Sequence, residues 1–127
     1  MFIEHVAIWT DRLEALTGFY VRFFGARAGA PYRSARRPFE SRFLTFASGA
    51  RMELMRVPEL EPGQGPEPRV GLAHLAISVG SAVEVDRLTA DIAAAGHPVQ
   101  SPPRTTGDGY YESVVLDPDG NVVEITA

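Results

Sequence analysis

A chain of 127 residues, 45% hydrophobic and 22% charged, has the length and composition of one globular domain with a core of its own. It has no cysteine, which excludes disulfides, thiolate nucleophiles and sulfur-bound zinc; its 12 positive side chains are all arginine, which excludes lysine Schiff bases and a P-loop. A net charge of −4 argues against general nucleic-acid binding, no apolar run approaches the ~20 residues of a spanning helix, and no signal peptide is legible, so a cytoplasmic protein is expected.

Residues 2–9 alternate as a strand, with His5, Ala7 and Trp9 on one face and Val6 and Ile8 on the other. Asp11, with Glu14 three residues on, reads as the capping box of a helix. Its Leu13, Leu16, Tyr20 and Phe23 or Phe24 recur at helical spacing, and Gly25 is its stop. Residues 27–32 read as a short strand, 33–38 as a basic loop and 39–47 as a strand. Ser48-Gly49 is a turn, and residues 51–57 are a strand with Arg51, Glu53 and Met55 on one face. Residues 58–69 carry Pro58, Pro62, Pro66 and Pro68, which suit neither helix nor central strand; the segment reads as a linker.

The order then repeats. Residues 71–79 form a strand whose His74, Ala76 and Ser78 share a face. Ser81 and Glu84 make a capping box before a helix with the stripe Val85, Leu88, Ile92 and Ala95, stopped by Gly96. Residues 97–101 read as a short strand, 102–109 as a loop and 110–116 as a strand. Asp117-Pro-Asp-Gly120 is a turn, and residues 121–126 are the last strand, with Val122, Glu124 and Thr126 on one face. The expected fold is therefore α+β. Two βαβββ modules, about 1–57 and 70–127, form a single domain whose helices cover one face of the sheets and leave the other as a cup.

The repetition extends to the chemistry. His74 follows His5 by 69 residues, and Glu124 follows Glu53 by 71. Alternation puts all four on the face away from the aliphatic residues, beside the small side chains Ala7, Ala76 and Ser78. A lone strand histidine is most often packing. Two histidines and two glutamates at repeat-matched positions are better explained as one divalent-metal site, because two carboxylates buried together without a cation are costly. Imidazole and carboxylate ligands suit zinc, nickel, cobalt, iron or manganese. Arg33, Arg36, Arg37 and Arg42 form a positive cluster, either a grip for an anionic substrate or a solvated loop. Residues 105–111 form a candidate rim, and Trp9, on the His5 face, either walls the pocket or fills core.

The chain resembles the vicinal oxygen chelate superfamily, and within it glyoxalase I (lactoylglutathione lyase). The likeness lies in His5-Val-Ala-Ile, Phe19-Tyr20, Phe24-Gly25, Met52-Glu53-Leu54, Leu72-Ala-His74-Leu-Ala-Ile and Asp117-Pro-Asp-Gly-Asn-Val-Val-Glu124. The resemblance implies paired βαβββ modules around one divalent ion, with nickel, cobalt or zinc first and manganese or iron next. It implies His5, Glu53, His74 and Glu124 as the ligands, and Glu124, with Glu53, as the catalytic carboxylates. The implied reaction is a 1,2-proton shift through an enediolate, turning a methylglyoxal–thiol hemithioacetal into a thioester in a homodimer. Trp9, Arg42, Tyr110 and Tyr111 are the expected substrate contacts. Trp9 stands where bacterial glyoxalase I usually has an arginine for the glutathione carboxylate, so the thiol is left open. Two other functions fit the same frame: an epimerase or related enzyme acting on another acid or thioester, and a non-catalytic small-molecule binder like the bleomycin-resistance proteins.

Overall fold

The structure, a computed structural model, describes residues 1–61, 63, 68 and 70–127. Of the expected linker, residues 62, 64–67 and 69 lie outside the described residues. The chain divides into two compact units, Met1–Pro62 and Gly63–Ala127.

In the first unit β1 (His5–Trp9) is followed by α1 (Leu13–Phe24), β2 (Arg27–Ala28), β3 (Tyr32–Arg33), β4 (Glu40–Thr45) and β5 (Arg51–Arg56). The sheet order is β1-β5-β4-β2, with β3 also on β4. The second unit runs β6 (Leu75–Ser78), α2 (Ala82–Ala94), β7 (Val99–Thr105), β8 (Tyr111–Leu116) and β9 (Val122–Thr126), in the order β6-β9-β8-β7. In both units the first and last strands pair in parallel, and the rest of the sheet is antiparallel. A parallel pair needs a long crossover, here supplied by the helix and the strands after it. The chain is α+β, as expected, with no helix among the described residues long and apolar enough to cross a membrane.

Each helix buries its apolar stripe on one sheet face. Leu13, Leu16, Phe19 and Tyr20 of α1 meet a core that includes Leu44, Met52 and Leu54. Val85, Leu88 and Ile92 of α2 do the same with Val115, Val123 and Ile125. Within this second core Thr89 and Ser113 share a buried 2.6 Å hydrogen bond, which satisfies two hydroxyls that would otherwise be costly to bury. The helices lie over β2, β4 and β5 and over β7, β8 and β9. Val6, Ile8, Leu75 and Ile77, expected directly under the helices, sit on the edge strands β1 and β6 and are only half-buried.

Local signals were realised unevenly. Ser81 caps α2, its Oγ accepting from the Glu84 N–H at 3.3 Å, and Gly25 ends α1 with a left-handed φ of 63°. Asp117 accepts from the N–H groups of Asp119 and Asn121 at 3.0 and 2.9 Å, closing the expected turn. The expected Asp11 cap does not form. Arg12 is the N-cap residue of α1 without a side-chain bond, Thr10 Oγ1 takes the Arg12 N–H at 2.9 Å, and Glu14 is drawn to Arg42 instead. Residues 102–105, expected in a loop, belong to β7. That strand is an edge, and Pro102 and Pro103 fall at its register shift between Ser101 and Arg104, where the regular ladder is interrupted. The first unit has a fifth strand, because the expected strand over 27–32 is split into β2 and β3.

The strict division of faces makes a stability contrast. Ile125, fully buried against α2, should cost about 2–5 kcal/mol when cut to alanine. Glu124→Gln, one residue away on the open face, should cost under about 1 kcal/mol. Urea unfolding of the two variants measures both, and equal losses would contradict the alternation.

Candidate metal centre

Parallel pairing places the candidate ligands. Ala7 of β1 stands beside Glu53 of β5, and Ala76 of β6 beside Glu124 of β9. In each unit a histidine lies two positions before that alanine, on the same face, and the alanine methyl leaves its ring room to lean toward the carboxylate. His5 Nε2 lies 3.9 Å from Glu53 Oε2, and His74 Nε2 lies 3.6 Å from Glu124 Oε2. The side chains are similarly exposed in the two pairs, 41% and 17% for His5 and Glu53 and 44% and 20% for His74 and Glu124. His74 itself precedes β6 rather than lying within it, since that strand starts at Leu75 and not at Gly71. The described residues contain no group of three or more His, Asp or Glu side chains able to hold one ion; each unit by itself brings together two.

The donor chemistry of each pair fits a divalent transition metal. Ligand atoms about 2.0–2.2 Å from one ion lie roughly 3.0–3.5 Å apart, so small side-chain rotations suffice.

The surroundings differ between the pairs. His5 packs edge-on against Phe43, with ring centroids 5.5 Å apart, and Phe43 stands opposite Glu53 on β4. Its Nδ1 lies 2.5 Å from Glu4 Oε2, and Arg51 Nε donates to Glu4 Oε1 at 2.7 Å. The hydrogen bond to His5, aided by Arg51, holds the Glu4 carboxyl below its ordinary range. In the second unit Val114 stands opposite Glu124 and Glu112 opposite Thr126, all on the helix-free face. Glu112 is only 9% exposed. Burial first, and then the charge of Glu124, push its carboxyl up, while Arg104, 3.5 Å away, opposes the shift. Neither Glu4 nor Glu112 was singled out from sequence. Alternation alone could have found Glu112, two residues from the partner of Glu124. Glu4 lies before the strand and carries no such signal.

The expected substrate contacts divide. Trp9 lies on the His5 face, 51% exposed, with Phe39 edge-on at 6.3 Å. Tyr110 is exposed in the turn before β8, where Thr106 Oγ1 accepts its N–H at 3.0 Å. Arg42 and Tyr111 face the other way. Arg42 pairs in register with Leu54, on the helix side, and donates to Glu14 of α1 at 3.0 and 3.3 Å. Tyr111 donates its hydroxyl to Asp86 of α2 at 2.7 Å, a bond that raises its pKa. Each is an anchor for a helix, because strand parity turns it away from the glutamates. Arg33 is held by Glu40 at 2.7 Å, and Arg37 lies over the Phe39 ring, so much of the positive cluster is engaged.

The model of the family described as "Glyoxalase/Bleomycin resistance protein/Dioxygenase superfamily" matches residues 2–125. The chain is 30% identical over 131 residues to the uncharacterized protein YqjT of Bacillus subtilis (strain 168), covering 98% of each. It superposes on the crystal structure of a glyoxylase/bleomycin resistance protein/dioxygenase domain from Frankia sp. EAN1pec with a TM-score of 0.84 and 20% identity, covering 99% of this chain and 96% of that one. Glyoxalase I from Zea mays gives a TM-score of 0.77 at 20% identity over 98% of this chain, which spans only 44% of the maize chain. These structural likenesses carry the fold.

Glu112 makes stability depend on pH in the metal-free protein. Its folded pKa is raised above the ordinary 4.5, so the folded state holds the proton more tightly than the unfolded one. Stability from this group therefore falls as pH rises from 4.5 through the raised folded value, and levels off above it. Glu112→Gln lacks this loss. Thermal melting in chelator should show the variant gaining on wild type as pH rises above the ordinary carboxyl value of 4.5. A gap that stays constant over that rise would contradict the strain assigned to Glu112.

Proposed function

The chain belongs to the Glyoxalase/Bleomycin resistance protein/Dioxygenase superfamily, and from that premise we propose that it is a metal-dependent lyase or isomerase of the glyoxalase I kind. Its substrate on this reading is a small α-keto hemithioacetal. The observation that carries the reading is the twofold occurrence of one construction: a half-exposed histidine leaning on a largely buried glutamate, at 3.9 Å in one unit and 3.6 Å in the other. His5, Glu53, His74 and Glu124 together hold one divalent ion, whether the two pairs come from one chain or from two copies of it. Nickel, cobalt and zinc suit the set best, with manganese or iron as further candidates.

Bound there, the cation supplies Lewis acidity toward vicinal oxygens. The rest falls to side chains. Glu124 takes the proton from the carbon beside the carbonyl and returns it to the neighbouring carbon, with Glu53 as the second carboxylate able to act as a base. Trp9 and Tyr110 offer apolar and hydroxyl contacts to the substrate. Arg33 and Arg42 are already bound to Glu40 and Glu14, which favours a thiol that needs no arginine clamp for its carboxylate. We also read the active form as a homodimer: β1 and β6 end their sheets as edge strands, and such edges invite pairing.

The test is turnover of hemithioacetals of methylglyoxal made from several thiols, with and without chelator. Activity should vanish on metal removal and return with added nickel, cobalt or zinc. Glu124→Gln should lower kcat by about 10²–10⁴. Full activity in that variant would overturn the role of Glu124. Stoichiometric metal with no turnover of hemithioacetals would favour an epimerase or another enzyme acting on a different acid or thioester. A protein that takes up no metal would favour the small-molecule binder.

A further inference from the structure

We propose that Glu4, held by Arg51, is a positioning residue that fixes His5 in its Nδ1–H tautomer and so turns the Nε2 lone pair toward Glu53 and the metal. The part concerning metal rests on the reading above; the tautomer does not. A neutral imidazole carries its proton on one nitrogen, and the partner of that nitrogen decides which. Glu4 is an acceptor placed 2.5 Å from Nδ1, whereas the nearest carboxylate oxygen to Nε2 lies 3.9 Å away. The shorter contact takes the proton, and Nε2 is left with its lone pair on the side where Glu53 stands.

Glu4 is itself fixed. Arg51 Nε donates to its Oε1 at 2.7 Å, and Arg51 Nη2 reaches the same oxygen. The Arg51 guanidinium lies over the Phe43 ring, 4.1 Å from its centroid, and Phe43 packs against the His5 ring. The backbone closes the cluster, with Arg51 N–H donating to Glu4 C=O at 2.9 Å and Arg51 in register with His5. Glu4 also offsets the positive charge that Arg51 brings close to a cation site. A carboxylate behind a ligating histidine orients the ring and raises its basicity, and its loss costs about 10–100-fold in metal affinity.

The second pair differs at the positions that build this device. At the repeat-matched positions the chain has Ala73 in place of Glu4 and Val122 in place of Arg51. The two histidines are therefore unequal at these positions: His5 is preset by Glu4, and alanine stands at the matching position before His74.

The experiment is long-range nitrogen–proton NMR of the imidazole rings in the metal-free protein near pH 8, where an ordinary histidine is neutral, followed by zinc and nickel titration by calorimetry. The wild type should show His5 as the pure Nδ1–H tautomer. Glu4→Leu should return the ring to a mixture and weaken metal binding about 10–100-fold. Glu4→Gln, whose carbonyl oxygen still accepts a hydrogen bond, should restore the tautomer and most of the affinity. His5 found as the Nε2–H tautomer or as a mixture in the wild type would overturn the proposal, as would a Glu4→Leu protein with unchanged spectrum. The expected tautomer pattern in a protein that takes up neither zinc nor nickel would support the Glu4 assignment and overturn the metal reading instead.

Discussion

Parallel pairing of the first and last strands governs each unit. It is the least local strand pairing in its unit, joining segments that a helix and a run of antiparallel strands separate along the chain. Its register decides which side chains meet. A shift by one residue would turn Glu53 and Glu124 into the helix-covered cores and bring Leu54 and Ile125 out to the open face. The fully buried Leu54 and Ile125, each next to its glutamate, make that shift prohibitive. The packing that folds the sheet is thus the same packing that holds the carboxylates on the open face.

Two units that solve the same problem need not solve it identically. The first surrounds its histidine with a closed cluster of Glu4, Arg51 and Phe43. The second has Ala73 and Val122 at the matching positions and places the buried Glu112 near Glu124. One pair is organised around the histidine and the other around the carboxylate. That division suits the proposed roles, in which Glu124 would move protons and His5 would chiefly hold the ion.

Much of this was legible in the sequence because it depends on period. Alternation over His5-Val-Ala-Ile-Trp and Val122-Val-Glu-Ile-Thr is enough to assign faces, and the spacing of the two matched phrases is enough to pair them. What escaped was of two kinds. Arg42 and Tyr111 looked like substrate contacts by residue type, yet strand parity turns both toward the helices, where Glu14 and Asp86 hold them. Asp11 had the pattern of a cap, but Thr10 and Arg42 compete for the groups it would have organised. Side-chain partners far apart in the chain, such as Glu4 with Arg51, have no period, and only the folded register reveals them.

The proposed function requires that the two His/Glu pairs serve one ion. Calorimetric titration of the metal-free protein with nickel, cobalt or zinc tests it most directly. It predicts a single tight ion per chain, lost when any one of His5, Glu53, His74 or Glu124 is replaced by alanine. Two independent ions per chain, or tight binding that survives removal of an entire pair, would contradict it.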